Sequence, residues 1–182
     1  MTSAEECFCA VLLWNMANYN LYIMKNLYKL ETLVYCTYIC YALSIIYRCI
    51  FSSRSAYINS QCLNTLANVL PCSILSYEYA KNCGVSYASI LLVLPIMFMF
   101  QRISGKHEYM FENNVPIVDL AHIMSLCCMI YVGGGRNDPL ALLTSASFAI
   151  LHFSLRDLME IENTLVTVLV CFFGGRLLQQ FQ

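Results

Sequence analysis

Charge is what this 182-residue chain has least of: Asp, Glu, Lys and Arg make up 12% of it, well under the share a soluble domain carries. Ten basic residues against eleven acidic ones leave a formal net charge of −1. That balance excludes a nucleic-acid binder, which needs a positive field over its contact face. Glycine and proline are also few, seven and four, and the apolar composition excludes a secreted disulfide scaffold and a disordered linker. No N-x-S/T acceptor occurs, which removes one marker of a lumenal loop. No C-x-x-C pair occurs either, and Cys7-x-Cys9 has no second pair or His at ligand spacing. Zinc, iron–sulfur and disulfide-exchange chemistry therefore lack their minimum signatures. A Gly-rich loop with Lys, G-x-S-x-G and H-E-x-x-H are all missing, and with them the usual nucleotide, acyl-transfer and zinc-protease motifs. No cofactor is expected.

What is present is apolar. Hydrophobic residues make up 59% of the chain and mean hydropathy is +0.62, leaving too little polar material to cover a water-facing surface. The composition points to an all-α, polytopic integral membrane protein, a bundle of six or seven transmembrane helices with short loops. The eleven cysteines are an odd number, and Cys36, Cys40, Cys49, Cys127, Cys128 and Cys171 lie in apolar segments, where a thiol packs as a small hydrophobe. Lipid or a reducing compartment suits them, without disulfides. The opening MTSAEE is acidic, unlike a secretory signal or a mitochondrial presequence, so targeting is expected to reside in the first hydrophobic segment.

Apolar runs recur about every 25 residues as one membrane domain, with segments at 7–24, 33–51, 57–80, 85–100, 115–132, 139–153 and 161–178. The first is interrupted by Asn15, Asn18 and Asn20, which are expected to face protein. In the second, Tyr35, Tyr38 and Tyr41 form a packing stripe. The third is amphipathic: Gln61, Asn64, Thr65 and Asn68 lie opposite Leu63, Leu66 and Leu70, so it either crosses or lies at the interface. The fourth, around Pro95, reads as the clearest span. Gly133–Gly135 read as a stop, and Asp138-Pro139 as an N-cap and first residue of the next helix. Ser154-Leu-Arg-Asp157 fits a capping box, yet with no Gly or Pro between Leu140 and Phe173 one long helix also fits. Lys and Arg divide five and five between the two sides, so the positive-inside rule gives no orientation.

Ionisable residues inside spans are candidates for function. Asp119 and His122, three apart, share a helix face and form a candidate proton relay, against the plainer reading of a carboxylate at a helix start with a structural His partner. Arg156, Asp157, Glu160 and Glu162 read as a solvated interfacial turn. The three histidines fall in separate segments, so haem ligation needs His122 and His152 to meet across helices.

Phe148-Ala-Ile-Leu-His152 resembles the F-x-x-x-H motif of the CAAX-protease and bacteriocin-processing family of intramembrane enzymes, over about the last 75 residues. That family carries a two-glutamate, one-arginine motif about forty residues earlier, where this chain has His107-Glu108-Tyr109-Met110-Phe111-Glu112. Glu108 and Phe111 match, His107 and Glu112 depart from the pattern, and the family's final His/Asn motif has no counterpart. The resemblance implies a hydrolase around Glu108 and His152, with water activated by glutamate or metal.

With no complete catalytic set, the reading is an accessory integral subunit of a larger membrane assembly. Membrane lipids and other integral subunits are its expected partners, with no nucleic acid. A mitochondrial inner-membrane respiratory complex is the expected host, and the endoplasmic reticulum membrane the alternative. A small proton or ion channel or transporter using Asp119 and His122, and a degenerate CAAX-protease-like hydrolase at Glu108 and His152, are the alternatives in function.

Overall fold

The computed structural model describes residues 4–24, 30–51, 53–104, 115–154 and 160–181. Among the described residues there is no strand, and seven α-helices follow one another: α1 (Ala4–Ile23), α2 (Glu31–Phe51), α3 (Arg54–Asn82), α4 (Val93–Ser104), α5 (Val115–Arg136), α6 (Pro139–Ala149) and α7 (Glu160–Gln179). A 3-10 turn, Ala88–Leu92, leads into α4, and a π turn, Ile150–Ser154, extends α6. Residues 155–159, with most of the capping-box segment, lie outside the described residues.

Local chemistry sets the helix boundaries. Asp138 caps α6, its side chain accepting from the amides of Leu140 (3.0 Å) and Ala141 (3.4 Å), while Pro139 opens the first turn without an orphaned N–H. The three glycines do not stop α5, which runs through them to Arg136. The stop is Asn137, left-handed at φ 54°, with the Asp138 amide donating back to Gly133 O at 2.9 Å. Gly133 serves packing: a Cβ there would lie 2.7 Å from the Ala141 Cβ, so its absence lets α5 and α6 meet closely. The fourth segment is likewise not the clearest span. Pro95 falls in the first turn of α4, where its lacking N–H costs nothing, and the preceding residues tighten into a 3-10 turn. Among the described residues, two helices are long and apolar enough to cross a membrane by length and composition, Glu31–Phe51 and Pro116–Arg136.

The helices close into a ring. α1 packs on α2, α2 on α3, α3 on α5, α5 on α6, α6 on α7, and α7 returns to α1; α3 and α7 also touch across the ring, and α4 lies against α5 and α3. The α1–α2–α3–α7 side holds most of the apolar core, with Leu13, Ala17, Val34, Ala42, Ile45, Leu75 and Val170 buried, and all three tyrosines of the stripe, Tyr35, Tyr38 and Tyr41, with them. Of the three asparagines of α1, only Asn20 turns inward, donating to the Cys171 carbonyl at 3.0 Å. It shares the 13–17–20 stripe facing α7, and glycine at 175 leaves it room. Asn15 is exposed and Asn18 half-buried; they lie on other faces and donate to their own helix carbonyls, Val11 O and Trp14 O.

The bundle carries much apolar surface, and its largely apolar interior also holds polar groups. Large apolar side chains cover the outside, among them Tyr131 (82% exposed), Phe100 (69%), Ile50 (67%) and Phe8 (64%), with Leu43, Ile123, Leu142 and Leu169 between them. Inside lie Glu6, Glu31, Arg48, Glu78, His122 and a set of serines and threonines.

Candidate functional site

Helix direction fixes which polar groups can meet. Glu6 near the start of α1 pairs with Arg48 near the end of α2, and Asp119 near the start of α5 reaches His152 in the π turn ending α6. Both helix pairs are therefore antiparallel. At the opposite end, Tyr79, Asp138 and Phe181 gather from the end of α3, the start of α6 and the residues after α7.

The first polar group is an ion pair with a small cavity beside it. Arg48 and Glu6 are both buried, their side chains 6% and 4% exposed, and Arg48 also lies 5.5 Å from the Tyr57 ring centroid. A cavity of about 20 Å³, room for one water molecule, is lined by Tyr41, Ile45, Arg48, Ser60, Gln61, Asn64 and Asn163. The Asn163 side-chain oxygen is buried there with no hydrogen-bond partner among the described residues.

The second group contains the two residues singled out for a relay, though in another pairing. Asp119 takes a hydrogen bond from His152, with Nε2 2.7 Å from Oδ1, and the His152 ring stacks on His122 with centroids 3.7 Å apart and planes 3° from parallel. His122 itself faces two carbonyl oxygens, Val118 O at 2.9 Å from Nδ1 and Asn68 O at 3.1 Å from Nε2. A neutral imidazole has one N–H and can donate to only one of these; an imidazolium donates to both. The contact to Val118 stays within α5, the contact to Asn68 reaches α3, and the stack reaches α6, so one imidazole ties three helices together.

Glu108 lies outside the described residues, and so does His107. His152 is described, and it touches Asp119, His122 and Phe153. The two histidines do meet across helices, but their nitrogen lone pairs lie in two parallel ring planes. They do not point at a common point between the rings, which axial ligation of one iron needs. Among the described residues, no group of three or more His, Cys, Asp or Glu is arranged to hold a metal ion.

No family model, curated protein or solved structure matches this chain. The F-x-x-x-H resemblance thus stands on its own few residues. All eleven cysteines are free thiols: Cys9, Cys72 and Cys171 are buried, whereas Cys36, Cys40 and Cys127 are exposed on the outside of the bundle.

The residues that sequence spacing missed are those whose partners lie far along the chain. Arg48, near the end of an apolar run, is only 5% exposed. The Arg48–Glu6 and His152–Asp119 contacts join residues 42 and 33 apart. The available signal was the cost of a charge in an apolar run, which demands a partner without naming it.

Proposed function

We propose that the chain is a multi-pass membrane protein and an accessory integral subunit of a larger membrane assembly. The observation that carries this reading is the apolar outside: exposed Tyr, Phe, Ile and Leu surround an interior that also holds a buried ion pair and two histidines. A soluble monomer rarely exposes apolar patches beyond a few hundred Å². Lipid satisfies such an outside, and so do neighbouring helices, whose close packing uses small interface residues of the Gly133–Ala141 kind. Two helices, α2 and α5, meet the length and composition of a span unaided; the remaining ones are shorter or more polar and suit a bilayer that is thinned or shared with partner subunits.

Native purification in mild detergent, followed by identification of what co-purifies, tests the proposal. A defined, stoichiometric set of integral subunits is the expected result. Respiratory-chain components among them place the host in the mitochondrial inner membrane, and endoplasmic-reticulum residents place it there. A solitary chain or homo-oligomer overturns the subunit reading.

A second reading, a small proton pathway, is favoured by one observation: Asp119, His152 and His122 converge from two helices, both histidines buried and Asp119 partly exposed. Ionisable groups at such depth mark ion or proton routes in many membrane proteins.

A further inference from the structure

The chain doubles back where α3 ends. Gly84 is left-handed at φ 85°, its amide donates to Lys81 O at 2.9 Å, and the Val85 amide donates to Ala80 O at 3.0 Å, so the helix closes on its own carbonyls. The 3-10 turn that follows packs back on α3. Between them lies a groove of about 400 Å³ whose lining includes Tyr77, Lys81, Gly84, Ser86 and Ser89. That volume is room for a small polar ligand group.

Lys81 is the cation of the groove. Its side chain is 57% exposed and its ammonium lies 5.4 Å from the Tyr77 ring centroid. Glu78 Oε2 is 4.0 Å from that ammonium, beyond hydrogen-bond distance, on a side chain turned into the bundle. Neither the Ser86 nor the Ser89 hydroxyl has a hydrogen-bond partner among the described residues. Arg136 stands alongside, donating to the Cys83 carbonyl at 3.3 Å. The Asp138 carboxylate is engaged by the Leu140 and Ala141 amides and the Tyr79 hydroxyl. The acids at this end are thus turned inward or occupied, while an ammonium and two hydroxyls face the groove.

The depth of the groove is set by α5. Arg136 ends the candidate span Pro116–Arg136 and bonds to the residue before Gly84, so the groove is level with the end of a span, where headgroups lie. Exposed Tyr87, next to Ser86, and exposed Tyr131, near the end of α5, suit the same layer. From the groove, exposed Ile90, Val93 and Met97 follow at helical spacing along the 3-10 turn and α4.

We propose that this groove binds the phosphate of an anionic phospholipid, held by the Lys81 ammonium and the Ser86 and Ser89 hydroxyls, with an acyl chain along Ile90, Val93 and Met97. The proposal rests on the membrane reading. The donor set selects the ligand: an ammonium and two hydroxyls offer N–H and O–H donors to phosphate oxygens. A zwitterionic headgroup brings its own ammonium, which Lys81 and Arg136 repel; a headgroup of net negative charge meets no such opposition.

The full chain is purified in mild detergent, stripped of lipid and titrated with phosphatidylglycerol or with phosphatidylcholine of the same acyl chains, and bound lipid is counted by native mass spectrometry. Insertion into liposomes is checked separately by flotation and resistance to alkaline carbonate. Phosphatidylglycerol is expected to bind the more tightly. Lys81→Gln should weaken it by about fivefold or more, the effect of one cation at a membrane surface. Ser86→Ala with Ser89→Ala should weaken it too, without any change of charge. Arg54→Gln, an exposed cation at the other end of α3, should leave it unchanged. Equal affinity for the two lipids in a chain that inserts overturns the site and leaves the membrane reading standing. A preference that Lys81→Gln or the serine pair leaves intact overturns the site as well. Displacement of the lipid by an equal concentration of glycerol phosphate makes the ligand a water-soluble phosphate ester and overturns the lipid assignment. A chain that fails to insert overturns the membrane reading, and the headgroup site with it.

Discussion

The buried Glu6–Arg48 pair gives the sharpest energetic expectation. Both side chains are nearly excluded from solvent, 4% and 6% exposed, and they join the start of α1 to the end of α2. Removing one partner strands the other charge in a low-dielectric interior, a loss of about 3–5 kcal/mol, whereas removing both leaves no uncompensated charge. Glu6→Gln and Arg48→Met are each expected to destabilise strongly, and the double variant by less than the sum of the two, with a coupling of about 2 kcal/mol or more. The assay is an SDS titration of the protein in mixed micelles, read by the reactivity of Cys72, a thiol fully buried in the folded bundle. Two single effects below about 1 kcal/mol that simply add would refute the argument, since exposed ion pairs behave that way.

Three further expectations use the same assay or simple chemistry. Gly133→Ala places a Cβ 2.7 Å from the Ala141 Cβ, an atom that cannot swing aside, and should cost about 1–3 kcal/mol in the SDS titration; a neutral result would mean α5 and α6 do not approach as described. Asp138→Ala removes the α6 cap and the acceptor of the Tyr79 hydroxyl and should lose about 1–2 kcal/mol, while Asp138→Asn retains most of the cap; equal losses in both variants would contradict the capping role. In the folded protein a maleimide should spare Cys9, Cys72 and Cys171 and modify them on unfolding, as mass mapping of the labelled peptides would show; early labelling of Cys72 or Cys171 would count against the packing of α3 and α7.

Periodic apolar segments and cap chemistry made the helices legible, because both are local in sequence. Asp138-Pro139 is the clearest case: the side chain that caps and the residue that opens the helix are adjacent. Gly133–Gly135 misled for the same local reason. Glycine reads as a stop, but here it was the near approach of Ala141 on the next helix that asked for a residue without a side chain. Asn15, Asn18 and Asn20 were indistinguishable by composition, and only the position of α7 singles out Asn20. The candidate site was half legible. Asp119 and His122 stand three apart and suggested each other, whereas the structure gives Asp119 to His152, 33 residues on, and stacks the two rings. Such a pairing depends on how α5 and α6 fold back on each other, which helical period does not encode. The Ser125–Ser73 hydrogen bond was invisible as well, since each looks like an ordinary small residue within its own helix.

Whether the apolar outside faces lipid is best measured by nitroxide labels placed singly at Leu43 on α2, Ile123 on α5 and Leu169 on α7, all exposed on the bundle. Oxygen partitions into the bilayer and a nickel chelate stays in water, so their relative collision rates with each label report its surroundings. In the protein reconstituted in liposomes, oxygen should relax all three labels far more than nickel does. Labels at these positions relaxed mainly by nickel would place the three helices in water and contradict the membrane reading.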